Sequence, residues 1–179
     1  MNTTDANPRH AVTLEAVGRE WRDTLVNLFQ LYAHDFSEQW FDRPEGELGE
    51  DGRLEEYGLM DRYWSEPDHE VMLIRKDGHI AGFVMVNNYS HSGQPLDHQI
   101  AEFFVVRKHR RARVGKNAAL QVIRARPGQW EIAVARRNEG AKPFWRGVAA
   151  AAAAQGSVVE ELDQNDDRWD GLILRFWVA

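Results

Sequence analysis

The chain has 179 residues, enough for one domain with a sound core, and its 43% hydrophobic and 28% charged content is ordinary for a soluble globular protein. It has no cysteine, which excludes disulfides, thiolate metal sites and a cysteine nucleophile and fits a cytoplasmic location. The formal net charge of −6 argues against nucleic acid as a partner, no apolar run is long enough to span a membrane, and Met1–His10 lacks the apolar stretch of a signal peptide.

Residues 1–10 read as a loose tail, and residues 11–179 as one domain without repeat or linker. Ala11 to Val17 reads as a first strand, with Val12, Leu14 and Ala16 on one face. Trp21, Leu25, Leu28, Phe29, Tyr32 and Phe36 recur at three and four, the mark of an amphipathic helix that Gly18 introduces. Between residues 37 and 68, Trp40, Phe41, Tyr57, Tyr63 and Trp64 sit among acids and four glycines. The aromatics argue against disorder and the acids against deep burial. This segment reads as a folded flap over a pocket, with a short helix over Leu59 to Trp64. The competing reading is a poorly ordered insertion with its aromatics tucked into the core.

Glu70 to Lys76 and Ile80 to Val86 are strands joined by the hairpin signal Asp77-Gly78. A polar loop, Asn87 to Asp97, leads to a strand over Ile100 to Val106. A helix follows from Val114 to Arg124, closed by Pro127-Gly128. Trp130 to Val134 is another strand, and Asn138-Glu139-Gly140 a turn. Pro143 suits the first turn of a helix that runs into six alanines, 149–154, and stops at Gly156. Val158 to Leu162 and Leu172 to Val178 read as two strands around a turn at Asp163 to Asp170, with Leu172, Leu174, Phe176 and Val178 on one face. The fold class is therefore α/β.

The most informative stretch is Glu102 to Leu120: an apolar strand, a basic turn, then a helix. Arg107 to Lys116 holds six Lys/Arg and one His. Such a turn aims backbone N–H groups, cationic side chains and the helix dipole at one spot, which suits an anion, above all a phosphate. The bland alternative is a solvated basic loop. Residues 35–70 hold thirteen Asp/Glu against three Arg, either a capture surface for a cation or plain solvated surface.

Arg110-x-x-Arg113-x-Gly115 resembles the [Q/R]-x-x-G-x-[G/A] signature of the GNAT superfamily, the acetyl-CoA-dependent N-acetyltransferases, with Arg113 in place of the first motif glycine. Asn138-x-x-Ala141-x-x-Phe144-Trp145 resembles the family's N-x-x-A-x-x-[L/F]-Y element. The element order resembles that fold over almost the whole chain, and the sequence looks most like the poorly characterised bacterial acetyltransferases of the superfamily. The resemblance implies a single mixed, mostly antiparallel central sheet flanked by helices, with two central strands splayed apart. It implies acetyl-CoA as acyl donor and a small-molecule or peptide amine as acceptor, a cation being favoured by the acidic segment. A homodimer is one assembly it allows.

By that resemblance, the backbone of Val105, Val106 and Arg107 would pair with pantetheine. Arg110, Arg111, Ala112, Arg113, Val114, Gly115 and Lys116 would wrap the pyrophosphate, and Asn138, Phe144 and Trp145 would lie along the pantetheine arm. The Val105 amide would meet the thioester oxygen. Glu102 would be the base; its alternative is a water-exposed carboxylate at a sheet end. Trp145 occupies the slot of the family's tyrosine acid, and an indole N–H cannot protonate a thiolate. Tyr89, His91 and His98 are the substitutes, with Tyr89 put forward. No metal is expected: there is no H-E-x-x-H and no paired ligand spacing, and a G-x-S-x-G elbow is also missing. Two other readings stand beside this one. One is a CoA-binding module that has lost catalysis, given the missing tyrosine and substituted glycine. The other is an RNA-binding protein, weakened because the adjacent Phe103 and Phe104 face opposite sides of a strand.

Overall fold

Two apolar runs, Val71–Ile74 and Ala81–Val86, are too continuous for half-exposed strands, and in the computed structural model both are central strands covered on each face. The structure describes residues 11–39 and 46–179; the tail expected at 1–10, and Trp40 and Phe41, lie outside the described residues. The strands are β1 (Val12–Ala16), β2 (Glu70–Lys76), β3 (His79–Asn87), β4 (His98–Val105), β5 (Gly128–Ala135), β6 (Glu160–Asn165) and β7 (Asp170–Val178). The helices are α1 (Arg22–Ser37), α2 (Val114–Arg124) and α3 (Lys142–Ala152), with short 3-10 turns at Arg19–Trp21, Met60–Trp64 and Arg107–His109. One sheet runs β1-β2-β3-β4-β5-β7-β6. Its pairs are antiparallel except β4–β5, which is parallel. This is the mixed, mostly antiparallel sheet expected.

Two cores form, one on each face. Ala118, Val122 and Ile123 of α2 and Val148 and Ala149 of α3 cover Ile74, Val84, Ile132, Leu174 and Phe176. Leu25, Leu28 and Phe29 of α1 cover Leu73, Phe83, Met85 and Phe104. The β2–β3 hairpin closes as its sequence demands, with Asp77 and Gly78 both left-handed at φ 53° and 81°.

Over its described residues the segment before β2 joins one feature of each reading, aromatics tucked into the core and a wall over a cleft. Leu54, Met60 and Tyr63 are buried, Tyr57 stacks on Phe29 at 4.7 Å, and the Trp64 indole donates to the Val17 carbonyl at 3.0 Å. The same stretch also walls a cleft described below. Some of its acids are paired: Asp61 with Arg19, Glu56 with Arg22 and Glu66 with Arg62; Glu70, at the start of β2, pairs with Arg126.

Several expected boundaries move: β4, β5 and β7 each begin two residues early, at His98, Gly128 and Asp170. Helix α3 stops at Ala152, before the alanines end, because Ala153 turns extended (φ −55°, ψ 139°) and the Ala154 N–H is taken by the Trp177 carbonyl at 2.8 Å. Strand β6 forms over the polar Glu160–Asn165, two residues later than its apolar residues suggest. An edge strand needs only backbone pairing on one side, so polar residues serve, and Val158 is left 82% exposed.

Candidate active site

Strands β4 and β5 pair only from His98 to Ile100, against Trp130 to Ile132; beyond that they part. At the same point β4 carries a bulge: Val86 faces Ile100, Met85 faces Glu102, and Ala101 is the extra residue. The bulge reverses the side-chain alternation. Ile100 packs on the α2/α3 face, and Glu102 follows Met85 to the α1 face instead of returning to the side of Ile100. The gap becomes a cleft of about 900 Å³ that passes through the sheet. Phe103, Ile132, Phe144 and Trp145 line it from the α2/α3 side, and Gln99, Glu102, Tyr32 and Tyr57 from the α1 side.

Glu102 stands where the two halves meet. The Tyr32 hydroxyl donates to its Oε2 at 2.6 Å. Burial pushes the carboxyl up to about 7, against the pull of the Tyr32 and Tyr57 hydroxyls, which lower it. Burial, and then the neighbouring Glu102 charge, push Tyr32 and Tyr57 far above their ordinary values. Burial likewise pushes Tyr63 up to about 12, and Asn87 Nδ2 donates to its hydroxyl at 3.2 Å. The tyrosines stay protonated donors around a carboxylate that gains and loses its proton near neutrality, the property wanted in a general base.

At the end of β4 the Val106 N–H donates to the Ala81 carbonyl at 2.9 Å. Peptide groups alternate along a strand, so the Val105 N–H and C=O turn away from β3, to the side where β4 and β5 part; the carbonyl is taken there by Arg110, which leaves the N–H. The turn that follows has two parts. Arg107 and Arg110 fold back onto α1: both pair with Asp35, Arg107 at 2.7 Å, and Arg110 Nε donates to the Val105 carbonyl at 2.7 Å. Although burial raises the Asp35 carboxyl, the hydrogen bonds from Arg110 and Arg107 hold it below its ordinary value. Arg111, Arg113 and Lys116 remain exposed around the start of α2, with Ala112 between them and Val114 buried beneath. Arg113, in the glycine slot, keeps the backbone a glycine would have, φ 60°, and Arg111 has φ 62°. Each left-handed arginine costs about 1–2 kcal/mol. No side chain caps α2, so its first N–H groups stay available among these cations. Gly115 faces Phe103 and Phe144; an added Cβ would lie 3.5 Å from the Phe144 ring. An exposed cationic turn at the end of β4, where β4 and β5 part, suits a long anionic ligand.

Asn138, Phe144 and Trp145 all line the cleft. Trp145 is 8% exposed and sits edge-on to Phe103 and Phe144, at 5.1 and 4.8 Å, a packing role. Tyr89 lines the cleft, half exposed, edge-on to His91 at 5.0 Å. His91 also lines it, and burial lowers its pKa. His98 does not: its Nε2 lies 3.2 Å from the Pro127 carbonyl and its ring rests on Trp130.

Residues 25–148 match the family model described as the Acetyltransferase (GNAT) family. The chain belongs to the GNAT acetyltransferase family. It is an N-acetyltransferase, and acyl transfer from acetyl-CoA is the family's chemistry. No curated protein matches it. Among solved structures, an acetyltransferase from Thermus thermophilus is similar at 13% identity and TM-score 0.65, with 95% of this chain and 99% of that one covered. The ribosomal-protein-S18-alanine N-acetyltransferase from Escherichia coli is similar at 11% identity and TM-score 0.59, covering 94% and 95%. A spermidine N-acetyltransferase chimera that includes Vibrio cholerae sequence aligns at 14% identity and TM-score 0.53, also covering 94% and 95%.

In this GNAT domain four cleft residues escaped the reading of the sequence. Tyr32 lies on the apolar stripe of α1 and reads as core. Tyr57 reads as one aromatic among several in an irregular segment. Gln99 and Trp169 carry no motif at all. Gln99 owes its place to the start of β4 beside a bulge without a residue signature, and Trp169 to the turn read at Asp163 to Asp170, whose position against the cleft only tertiary packing sets.

Proposed function

We propose that this GNAT enzyme transfers an acetyl group from acetyl-CoA to a primary amine by direct attack of the amine on the thioester, with Glu102 as the base. The carrying observation is the passage through the sheet: it has a cofactor-like side, a second side open for an acceptor, and Glu102 between them. Bound acetyl-CoA supplies an activated thioester carbonyl. The residues that would hold it are Val105, Val106 and Arg107 at the end of β4, the turn from Arg110 to Lys116, and Asn138, Phe144 and Trp145. To the Val105 N–H we assign the donor role toward the thioester carbonyl oxygen.

An alkylamine with a pKa near 10.4 is neutral only about one part in a thousand at pH 7. It therefore arrives as a cation, and the Glu102 carboxylate favours its approach; Glu66, the other acid that lines the cleft, is already paired with Arg62. A carboxylate that titrates near 7 then takes the proton as the amine enters the dry gap. For the departing thiolate we put forward Tyr89, a cleft hydroxyl outside the Glu102 cluster. We place the enzyme in the cytoplasm on its lack of cysteine; among the described residues no helix is long and apolar enough to cross a membrane.

A second reading, a CoA-binding module without catalysis, is favoured by one observation: Trp145 fills the tyrosine slot as a packing residue. Calorimetry with acetyl-CoA, paired with thiol release in the presence of primary amines, decides. Binding with release supports the transferase; binding without release supports the module; no binding at millimolar ligand overturns both.

A further inference from the structure

A row of polar side chains crosses the α1 face of the sheet at the closed end of the cleft. Register places Asn87 beside Gln99, Gln99 beside Glu131, Glu131 beside Arg175 and Arg175 beside Glu160. Nearly every member is satisfied. Arg175 donates to Glu131 at 2.8 Å and to the Pro95 carbonyl at 2.9 Å, and its Nε lies 3.7 Å from Glu160. Glu131 accepts the His91 N–H at 2.7 Å and the Ser92 hydroxyl at 2.6 Å. Asn87 donates to Tyr63 and accepts the Tyr89 N–H at 3.1 Å. The exception is the middle. Gln99 is 2% exposed, and its Oε1 has no protein partner.

Such a group is expensive to bury. Among the described residues, three buried side-chain polar atoms lack a protein partner: Gln99 Oε1, His69 Nδ1 and Trp169 Nε1. All three residues line the cleft. His69 Nδ1 stands 3.5 Å from Glu66 Oε2 without hydrogen-bonding it. Trp169 is a fixed wall. It sits in the β6–β7 turn, where its carbonyl accepts the Asp166 N–H at 3.0 Å and its ring packs on His91 at 4.4 Å. Gln164 ties that hairpin to the His91 carbonyl at 2.9 Å.

The chemistry of these atoms narrows the ligand. An indole N–H only donates, so the ligand must accept there. Gln99 Oε1 only accepts, so the ligand must donate there. The arginine that lines the cleft, Arg62, is already paired with Glu66 at 3.1 Å, so a carboxylate would find no free counter-charge in it. A secondary amide, which accepts at its C=O and donates at its N–H, is a neutral group that meets both demands. Gln99 lies three residues from Glu102, at most about 10 Å along the strand and less across the bulge. An amine reacting at Glu102 would therefore carry its amide about six bonds away.

We propose that Gln99, Trp169 and His69 bind a secondary amide of the acceptor, so that the acceptor is an amine on a peptide-like chain and not a simple alkylamine. This rests on the acyl-transfer reading above. Two sources share the chemistry: a lysine side chain with its own backbone amide, and a peptide N-terminus with its second peptide group.

The test measures thiol release from acetyl-CoA with N-α-acetyl-lysine N-methylamide, triglycine N-methylamide and 1-aminohexane, in the wild type, Gln99→Met and Trp169→Phe. With kcat/KM taken per neutral amine, because an α-amino group ionises near 8 and an alkylamine near 10.4, at least one amide-bearing amine should exceed 1-aminohexane about tenfold or more in the wild type, and the better one names the source. That ratio should fall to about one in both variants. No preference in the wild type, or the same preference in all three proteins, overturns the proposal. A second readout does not need turnover. The indole 15N–1H cross-peak that Trp169→Phe removes should move downfield when an amide-bearing amine is added to the wild type, and not with 1-aminohexane. A moved peak without thiol release from any amine supports the amide site and counts against the transferase reading. An unmoved peak alongside ready acetylation of 1-aminohexane sinks the amide site alone.

Discussion

Glu102 shows how a single side chain is tuned by opposing terms. Burial raises its pKa and the tyrosine hydroxyls lower it, leaving it at about 7. Tyr32→Phe removes the 2.6 Å hydrogen bond to the carboxylate, so the pKa should rise further. The acidic limb of kcat/KM should move up by about one unit. An unmoved limb would mean that Tyr32 only packs. The same tuning carries a stability cost. A carboxyl whose folded pKa lies above its unfolded value destabilises the fold once it ionises, so stability is lost as pH rises from the ordinary value of 4.5 through about 7. The full penalty is about 3 kcal/mol. Glu102→Gln should therefore unfold at higher denaturant than the wild type at pH 8, and the gap should close by pH 5. A gap independent of pH would contradict the shifted pKa.

Among the elements, the turn into α2 keeps its family shape at a local cost. Arg113 holds φ 60° without glycine, and glycine there would relieve strain while loosening the unfolded chain. Arg113→Gly should leave stability within about 1 kcal/mol, because these two terms nearly cancel. It should weaken acetyl-CoA several-fold and reduce the salt dependence of binding, since an exposed cation is lost; calorimetry at two salt concentrations reads both. Tighter binding by the glycine variant would show that backbone approach outweighs charge. Strand β4 depends on a different glycine. Gly82 of β3 has φ 159°, and an added Cβ would lie 1.9 Å from the Phe104 carbonyl oxygen. Gly82→Ala should cost about 2–4 kcal/mol and disturb the edge that opens onto the cleft. Unchanged denaturation would mean that the strands part without penalty.

These elements also show what a sequence discloses. The hairpin was legible because Asp77-Gly78 separates two apolar runs, and both turn residues are indeed left-handed. Helix α2 has the bounds its periodicity and Pro127-Gly128 set. The two motifs were legible because they sit at the starts of two helices, and Asn138, Phe144 and Trp145 do reach one cleft. The fate of Arg107 and Arg110 was not, because Asp35 lies more than seventy residues away and meets them only through tertiary packing. Nor was the side on which Glu102 emerges, since one unpaired alanine decides it.

At the scale of the whole molecule, the sheet separates two environments and the gap between β4 and β5 joins them. One face offers exposed cations and an uncapped helix start. The other offers tyrosines, amides and a carboxylate. Substrates held on opposite faces can react only in the gap, so the central claim is that Glu102 acts there as the base. It is tested most directly by acetyl-CoA thiol release with a saturating primary amine from pH 5.5 to 9, in wild type and Glu102→Gln. The wild-type rate should rise through an apparent pKa near 7, and the variant should be slower by about two to three orders of magnitude with that limb gone. A variant that keeps both the rate and the limb, while still binding acetyl-CoA, would contradict the claim.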